Sequence, residues 1–214
     1  MQKSQIISDV CTALLTNGRE QAAVIARNEY SLTEARPAKR KRIPPAEMSQ
    51  PDVSVGMARA KRRYNEITYT RIFVRDGFLD RYSGEQLVFP PVLRLLSQLL
   101  PEEFPGYPNY KMKESHIVHW ELFPTIDHVV AIANGGEDVE QNWVTTSMLM
   151  NMEKSNWSLA ELGWELQPLG GSNAWDGLTK WFLRFVEEHP TYLKDCYYSL
   201  WRNAATRVFA HRGS

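Results

Sequence analysis

One stretch, Phe123 to Ser155, limits what this chain can fold into more than any other. Its opening residues, Phe123-Pro124-Thr125-Ile126-Asp127-His128-Val129-Val130-Ala131-Ile132, have the β-branched content of a strand. Asn134-Gly135-Gly136 then supplies the positive φ angles of a chain reversal. Asn142-Trp143-Val144-Thr145-Thr146 reads as the returning strand, and Ser147 is placed to cap a short helix from Met148 to Ser155 that carries Asn151 and Lys154. Strand, loop, strand and helix therefore follow one another within about 33 residues.

The polar residues of this stretch suit one chemistry. Cleaving a phosphodiester needs a base for the attacking water, a hard cation on the phosphoryl and leaving oxygens, and further positive charge nearby. Histidine as a residue type, with a reference pKa of about 6.5, can be neutral and accept a proton at pH 7, which makes His128 the candidate base. Asp127 and Asn151 offer a carboxylate and an amide oxygen, a sufficient protein share for a cation such as Mg²⁺ that keeps most of its waters. Lys154 supplies a cation.

Asp127-His128, a Gly-Gly turn, Asn142 fourteen residues after His128, and Asn151 nine residues later followed by Lys154 together resemble the HNH nuclease motif. The closest likeness is to the variant ending in Asn, seen also in the nuclease domain of RNA-guided Cas effectors. The resemblance implies a ββα-metal core over residues 123–156. In it Asp127 and Asn151 would hold one divalent cation, Mg²⁺ foremost and Mn²⁺ as the alternative. His128 would be the general base, Asn142 would hold the hairpin so that His128 points correctly, and Lys154 would sit near the scissile phosphate. Arg75-Asp76-Gly77 and Tyr82-Ser83-Gly84 resemble the segment preceding the motif in many such proteins, which extends a looser match over residues 71–165. Many family members also carry two CxxC pairs on a structural zinc. Here those places hold Tyr82-Ser83-Gly84 and Met148 to Asn151, so no structural zinc is expected and packing must hold the core instead. Adjacent strand residues face opposite ways, so the resemblance also implies a twist or a strand end at Asp127-His128.

Around this stretch the chain divides by pattern. Apolar residues at helical spacing on both sides of Asn17-Gly18 predict a helical hairpin within residues 1–33. Residues 34–55 collect prolines and basic residues and read as a linker or arm. Residues 56–165 would form the nuclease core: a basic helix from Met57 to Arg63, a strand over Ile67 to Val74, and a helix over residues 91–100. Residues 166–214 are rich in aromatic residues at helical intervals, with Trp181, Phe182, Phe185 and Val186 as one stripe and Tyr197, Leu200 and Trp201 as another. Burial alone explains such stripes, so they are assigned to the core rather than to stacking on bases. The expected class is α+β, a ββα-metal core embedded in a mainly helical frame.

Charge is neutral overall but unevenly placed. Residues 1–75 hold 14 Lys and Arg against 7 Asp and Glu, whereas residues 76–214 hold 11 against 18. A basic front of this kind fits a polyanionic partner, with DNA foremost. The residues nominated to contact phosphates are Lys39, Arg40, Lys41 and Arg42, then Arg59, Lys61, Arg62 and Arg63; such contacts are salt-sensitive and carry no sequence information. Cys11 and Cys196 stand far apart, which argues against a disulfide framework and fits a reducing, cytoplasmic setting. No apolar run is long enough for a membrane span. His116 and His119 are assigned to surface or packing roles, and nothing favours function at His189 or His211.

The expected activity is hydrolysis of DNA phosphodiester bonds, in a setting such as restriction or host defence. One centre cuts one strand, so a duplex break calls for a homodimer, a partner subunit or two successive nicks. Two rivals stand beside it: a catalytically silent DNA-binding or assembly subunit of the same fold, and a nuclease that cleaves RNA.

Overall fold

The computed structural model describes residues 2–30, 64–106, 114–170 and 175–210. Among these the chain is α+β: helices surround a single antiparallel pair of strands. The expected basic helix from Met57 to Arg63 and both basic clusters, Lys39 to Arg42 and Arg59 to Arg63, lie outside the described residues. No helix among the described residues is long and apolar enough to cross a membrane.

Helices α1 (Lys3–Thr16) and α2 (Arg19–Glu29) form the expected hairpin. Gly18 makes the reversal at φ 85°, a backbone conformation that L side chains rarely adopt. Ile7, Val10 and Cys11 of α1 face Ala22, Ala23 and Ala26 of α2, and all are buried. The hairpin does not stand alone. Trp181 donates its indole N–H to the Cys11 carbonyl at 2.7 Å, Ser4 Oγ donates to Gln86 Oε1 at 2.8 Å, and one hydrophobic cluster includes Ile7, Phe73, Leu95, Phe182 and Tyr198.

Residues 67–74 are helical, not the strand their composition predicts: α3 spans Glu66–Arg75. Asn65 caps it by accepting from Thr68 N at 2.9 Å, and the Thr70 hydroxyl returns to the Glu66 carbonyl at 2.7 Å. With those ends satisfied, Ile72 and Phe73 are fully buried and Tyr69 and Phe73 lie one turn apart on the core side. Packing against α9 (Cys196–Ala210) thus overrides the β preference of Ile67, Thr68, Tyr69 and Val74.

Helix α4 (Pro90–Leu99) starts on prolines, as expected, and buries Val92, Leu93, Leu95 and Leu96. Phe89, just before it, meets Phe182 of α8 (Thr179–Glu188) at 5.6 Å and Trp201 of α9 at 5.2 Å, both edge-on. Burying a ring such as Phe182 stabilises the fold by roughly 2–3 kcal/mol, so the C-terminal aromatics are structural. Leu200 departs from its predicted stripe: it is 48% exposed, while Tyr198 takes the buried position.

The two strands, β1 (Pro124–His128) and β2 (Trp143–Ser147), pair antiparallel with Asp127 opposite Val144 and His128 opposite Trp143. The outer edge of β2 is closed by buried side chains and a loop rather than by a third strand. Arg75 Nη2 donates to the Trp143 carbonyl at 2.6 Å, Thr145 N donates to Asp76 Oδ2 at 2.7 Å, Arg81 N donates to the Thr145 carbonyl at 2.9 Å, and Ser147 N donates to Asp80 Oδ2 at 2.8 Å. Each outward backbone group of the strand therefore finds a partner, as buried polar groups must. Helices α5 (Val118–Glu121) and α6 (Met148–Lys154) flank the pair, and α7 (Leu159–Leu162) follows with a capping box from Ser158 and Glu161.

Candidate metal and phosphate site

Strand β1 ends at His128, and the chain then makes a loop through residues 129–142 before returning as β2. This is wider than a tight reversal, and Asn142 holds it closed. Its Oδ1 accepts from Val130 N at 2.9 Å, while its Nδ2 donates to the carbonyls of Val130 and Glu137, each at 2.9 Å. Gly135 has the positive φ expected of it, 84°. Gly136 matters for another reason: a Cβ there would stand 1.9 Å from the Val130 carbonyl oxygen, so only glycine lets the loop close.

The returning strand runs directly into α6. Ser147 caps that helix as its type and position suggest, its hydroxyl accepting from Met150 N at 3.1 Å. The cap sets the helix phase so that Lys154 points back at β1. The Lys154 side chain is fully buried, with Nζ 3.0 Å from Asp127 Oδ2 and donating to the His128 carbonyl at 2.8 Å. Tyr82 donates its hydroxyl to the same Asp127 oxygen at 2.7 Å. Burial first, then the Asp127 carboxylate, raise the pKa of that hydroxyl far above the usual phenol range, so it stays a donor. The carboxylate is thus fixed through Oδ2, and Oδ1 accepts no hydrogen bond from a described residue. Asn151 lies three residues before Lys154 in α6, which sets both on one helix face. Its half-buried amide makes no hydrogen bond with a described residue.

The ring of His128 goes the other way. The strand keeps its alternation to its last residue, so Asp127 turns toward α6 and Tyr82 while His128 turns toward Trp143 and Asp138. Asp138 Oδ1 collects three groups: Tyr64 Oη at 2.6 Å, His128 Nε2 at 2.8 Å and Trp143 Nε1 at 3.0 Å. The Tyr64 hydrogen bond leads in holding the Asp138 carboxyl below the usual range, with smaller help from His128 and Trp143. His128 is buried, and its Nδ1 has no hydrogen bond with a described residue.

The structure therefore brings Asp127, Lys154 and the His128 backbone together, with Asn151 three residues before Lys154 in α6, and turns the His128 imidazole toward Asp138 and Trp143 instead. Two expectations need correction. Lys154, expected to sit near the scissile phosphate, is instead fully buried, with its ammonium paired to Asp127 and the His128 carbonyl, as a buried charge requires. The strand does end at His128, as the resemblance implies, but a carboxylate and an imidazole on one side of one ion is not the arrangement: Asp127 meets Tyr82 and Lys154, while the His128 ring meets Asp138 and Trp143.

Sequence reasoning missed Tyr82, Tyr64, Trp143 and Asp138. An Asp four residues before Asn142, in a loop that must return to the strand end, was a readable signal for the last of these; the contacts of Tyr64 and Tyr82 depend on tertiary placement and were not. His116 and His119 are buried and pack, with His116 against Tyr30 and Phe104 and His119 Nε2 2.9 Å from Ser97 Oγ. Among the described residues no group of three His, Cys, Asp or Glu side chains is arranged to hold a metal. Compared with known protein families, with curated proteins and with solved structures, the chain has no match.

Proposed function

We propose that this chain is a metal-dependent endonuclease of the HNH type, with β1, β2 and α6 as its ββα core, hydrolysing phosphodiester bonds in DNA. The observation that carries this reading is the Asp127 carboxylate, fixed through Oδ2 by Tyr82 and the buried Lys154 of α6, whose Oδ1 accepts no hydrogen bond from a described residue and whose neighbour His128 ends the strand.

The donor set fits a hard divalent cation, Mg²⁺ or Mn²⁺. Both available groups are oxygens, and two protein oxygens with the remaining positions left to water is the usual arrangement for Mg²⁺. Bound there, the cation would neutralise charge on a phosphoryl oxygen and on the departing O3′.

The opposed faces of Asp127 and His128 then suit the reaction. In an in-line displacement the attacking and leaving oxygens stand on opposite sides of phosphorus. A phosphodiester laid across the end of β1 would meet Asp127 and Asn151 on its leaving side and His128 on its attacking side. His128 Nδ1 takes the proton of the attacking water, Asn142 keeps the loop from displacing the ring, and Lys154 holds Asp127 in place. The ends formed are a 5′-phosphate and a 3′-hydroxyl. The basic residues before Tyr64 would hold flanking phosphates, and a restriction or defence role suits such an activity.

The test is nicking of supercoiled plasmid with Mg²⁺ or Mn²⁺ by the parent and by His128→Ala. Loss of at least about 100-fold in the variant is expected for removal of a general base. Equal cutting by both sinks the assignment of His128. No cutting of plasmid, single-stranded DNA or structured RNA by the parent, with DNA still bound, supports a silent assembly subunit instead, and cutting of RNA alone redirects the substrate.

A further inference from the structure

We propose that Asp138 is the positioning residue that decides which nitrogen of His128 carries its proton. The proposal rests on the reading of His128 as the base and deepens it.

Two donors compete around His128 Nε2. Trp143 Nε1 lies 3.1 Å from Nε2 and 3.0 Å from Asp138 Oδ1, and an indole N–H can only donate. If the indole donated to Nε2, the neutral ring would carry its proton on Nδ1, and the nitrogen assigned to the attacking water would have no lone pair to offer. If instead Nε2–H donates to Asp138 at 2.8 Å, the lone pair is left on Nδ1. A carboxylate oxygen accepts from both groups at once, and a hydrogen bond to an ionised acceptor is roughly twice as strong as a neutral one. Asp138 therefore draws the indole N–H and the imidazole N–H to itself and prevents the first from taking Nε2. The Tyr64 hydroxyl, 2.6 Å from the same oxygen, fixes where that acceptor stands. Asp138 touches the ring of His128 directly, and it is through that ring that it acts.

Four proteins test this without added metal: the parent, Asp138→Ala, Asp138→Asn and Asp138→Ala/Trp143→Phe. The readout is the imidazole ¹⁵N spectrum of His128 in its neutral form, whose two ring-nitrogen shifts tell the tautomers apart. The parent is expected as the Nε2–H tautomer, Asp138→Ala as the Nδ1–H tautomer, and the double variant as Nε2–H again, because the competing donor is gone. Asp138 is 42% exposed, so its replacement should not prevent folding. Asp138→Asn keeps an acceptor oxygen and should keep the parent tautomer. In the plasmid assay Asp138→Ala should lower kcat by ~10–100-fold with KM within about twofold, a usual loss for a group that orients a functional one, and the double variant should recover part of it. A parent already in the Nδ1–H form, or an Asp138→Ala protein still in the Nε2–H form, overturns the proposal. A parent that cuts nothing sinks the nuclease reading instead, while the spectra still decide what Asp138 does to the ring.

Discussion

Lys154 Nζ ties two adjacent residues of β1 to α6, standing 3.0 Å from the Asp127 carboxylate and 2.8 Å from the His128 carbonyl oxygen with no exposure to solvent. Removing one partner of a buried ion pair leaves the other uncompensated and costs about 3–5 kcal/mol. Lys154→Met should therefore lower stability by about 3 kcal/mol, read as a fall in the urea midpoint at unchanged slope. A Met variant as stable as the parent but inactive would show instead that the ammonium acts on the phosphate.

The amide of Asn151 has no hydrogen-bond partner among the described residues. Asn151→Ala should change stability by less than about 0.5 kcal/mol while weakening Mg²⁺ or Mn²⁺ binding by about tenfold or more, as measured by isothermal titration. Unchanged metal affinity would remove Asn151 from the site.

Asn142 closes the loop with three side-chain hydrogen bonds, each to a backbone group of the loop itself. At about 1 kcal/mol for each bond, less its partial exposure, Asn142→Ala should cost about 2 kcal/mol. Faster amide exchange at Val130 N–H should accompany the loss; exchange as slow as in the parent would mean that the loop holds itself.

Burial lowers His116 and His119 from the usual 6.5 to about 4 each. In the unfolded chain both rings take up protons near pH 6.5, and in the folded chain only near pH 4. The unfolded state thus binds more protons between those values, so stability is full above about pH 6.5 and falls as the pH drops toward 4, by up to about 1.4 kcal/mol per pH unit for each ring. Urea midpoints at pH 7 and pH 5 check this, and replacing both rings with Gln should flatten the difference.

Local pattern made the hairpin of α1 and α2, helix α4, the Ser147 cap and the order of strand, loop, strand and helix legible before any coordinates. Each of these is decided within a few residues, by spacing, proline, glycine or a capping hydroxyl. Helix α3 was not legible, because its β-branched residues are overruled by a partner, α9, more than a hundred residues away in sequence. The site divided along the same line. Asp127, Asn142, Asn151 and Lys154 were nominated from spacing, and the fold joins Lys154 to Asp127. That Lys154 is sealed from solvent, and that the His128 ring answers to Asp138 and Tyr64, depends on which sides of a strand are covered, and spacing does not contain that.

The carboxylates of Asp76 and Asp80 and the neighbouring arginines occupy the rim of β2 where another strand would otherwise dock. Strand-to-strand association between copies is thereby blocked on that side, which guards against the stacking that bare sheet margins invite. If two molecules cooperate to sever both strands of a duplex, this rim is not where their sheets would join.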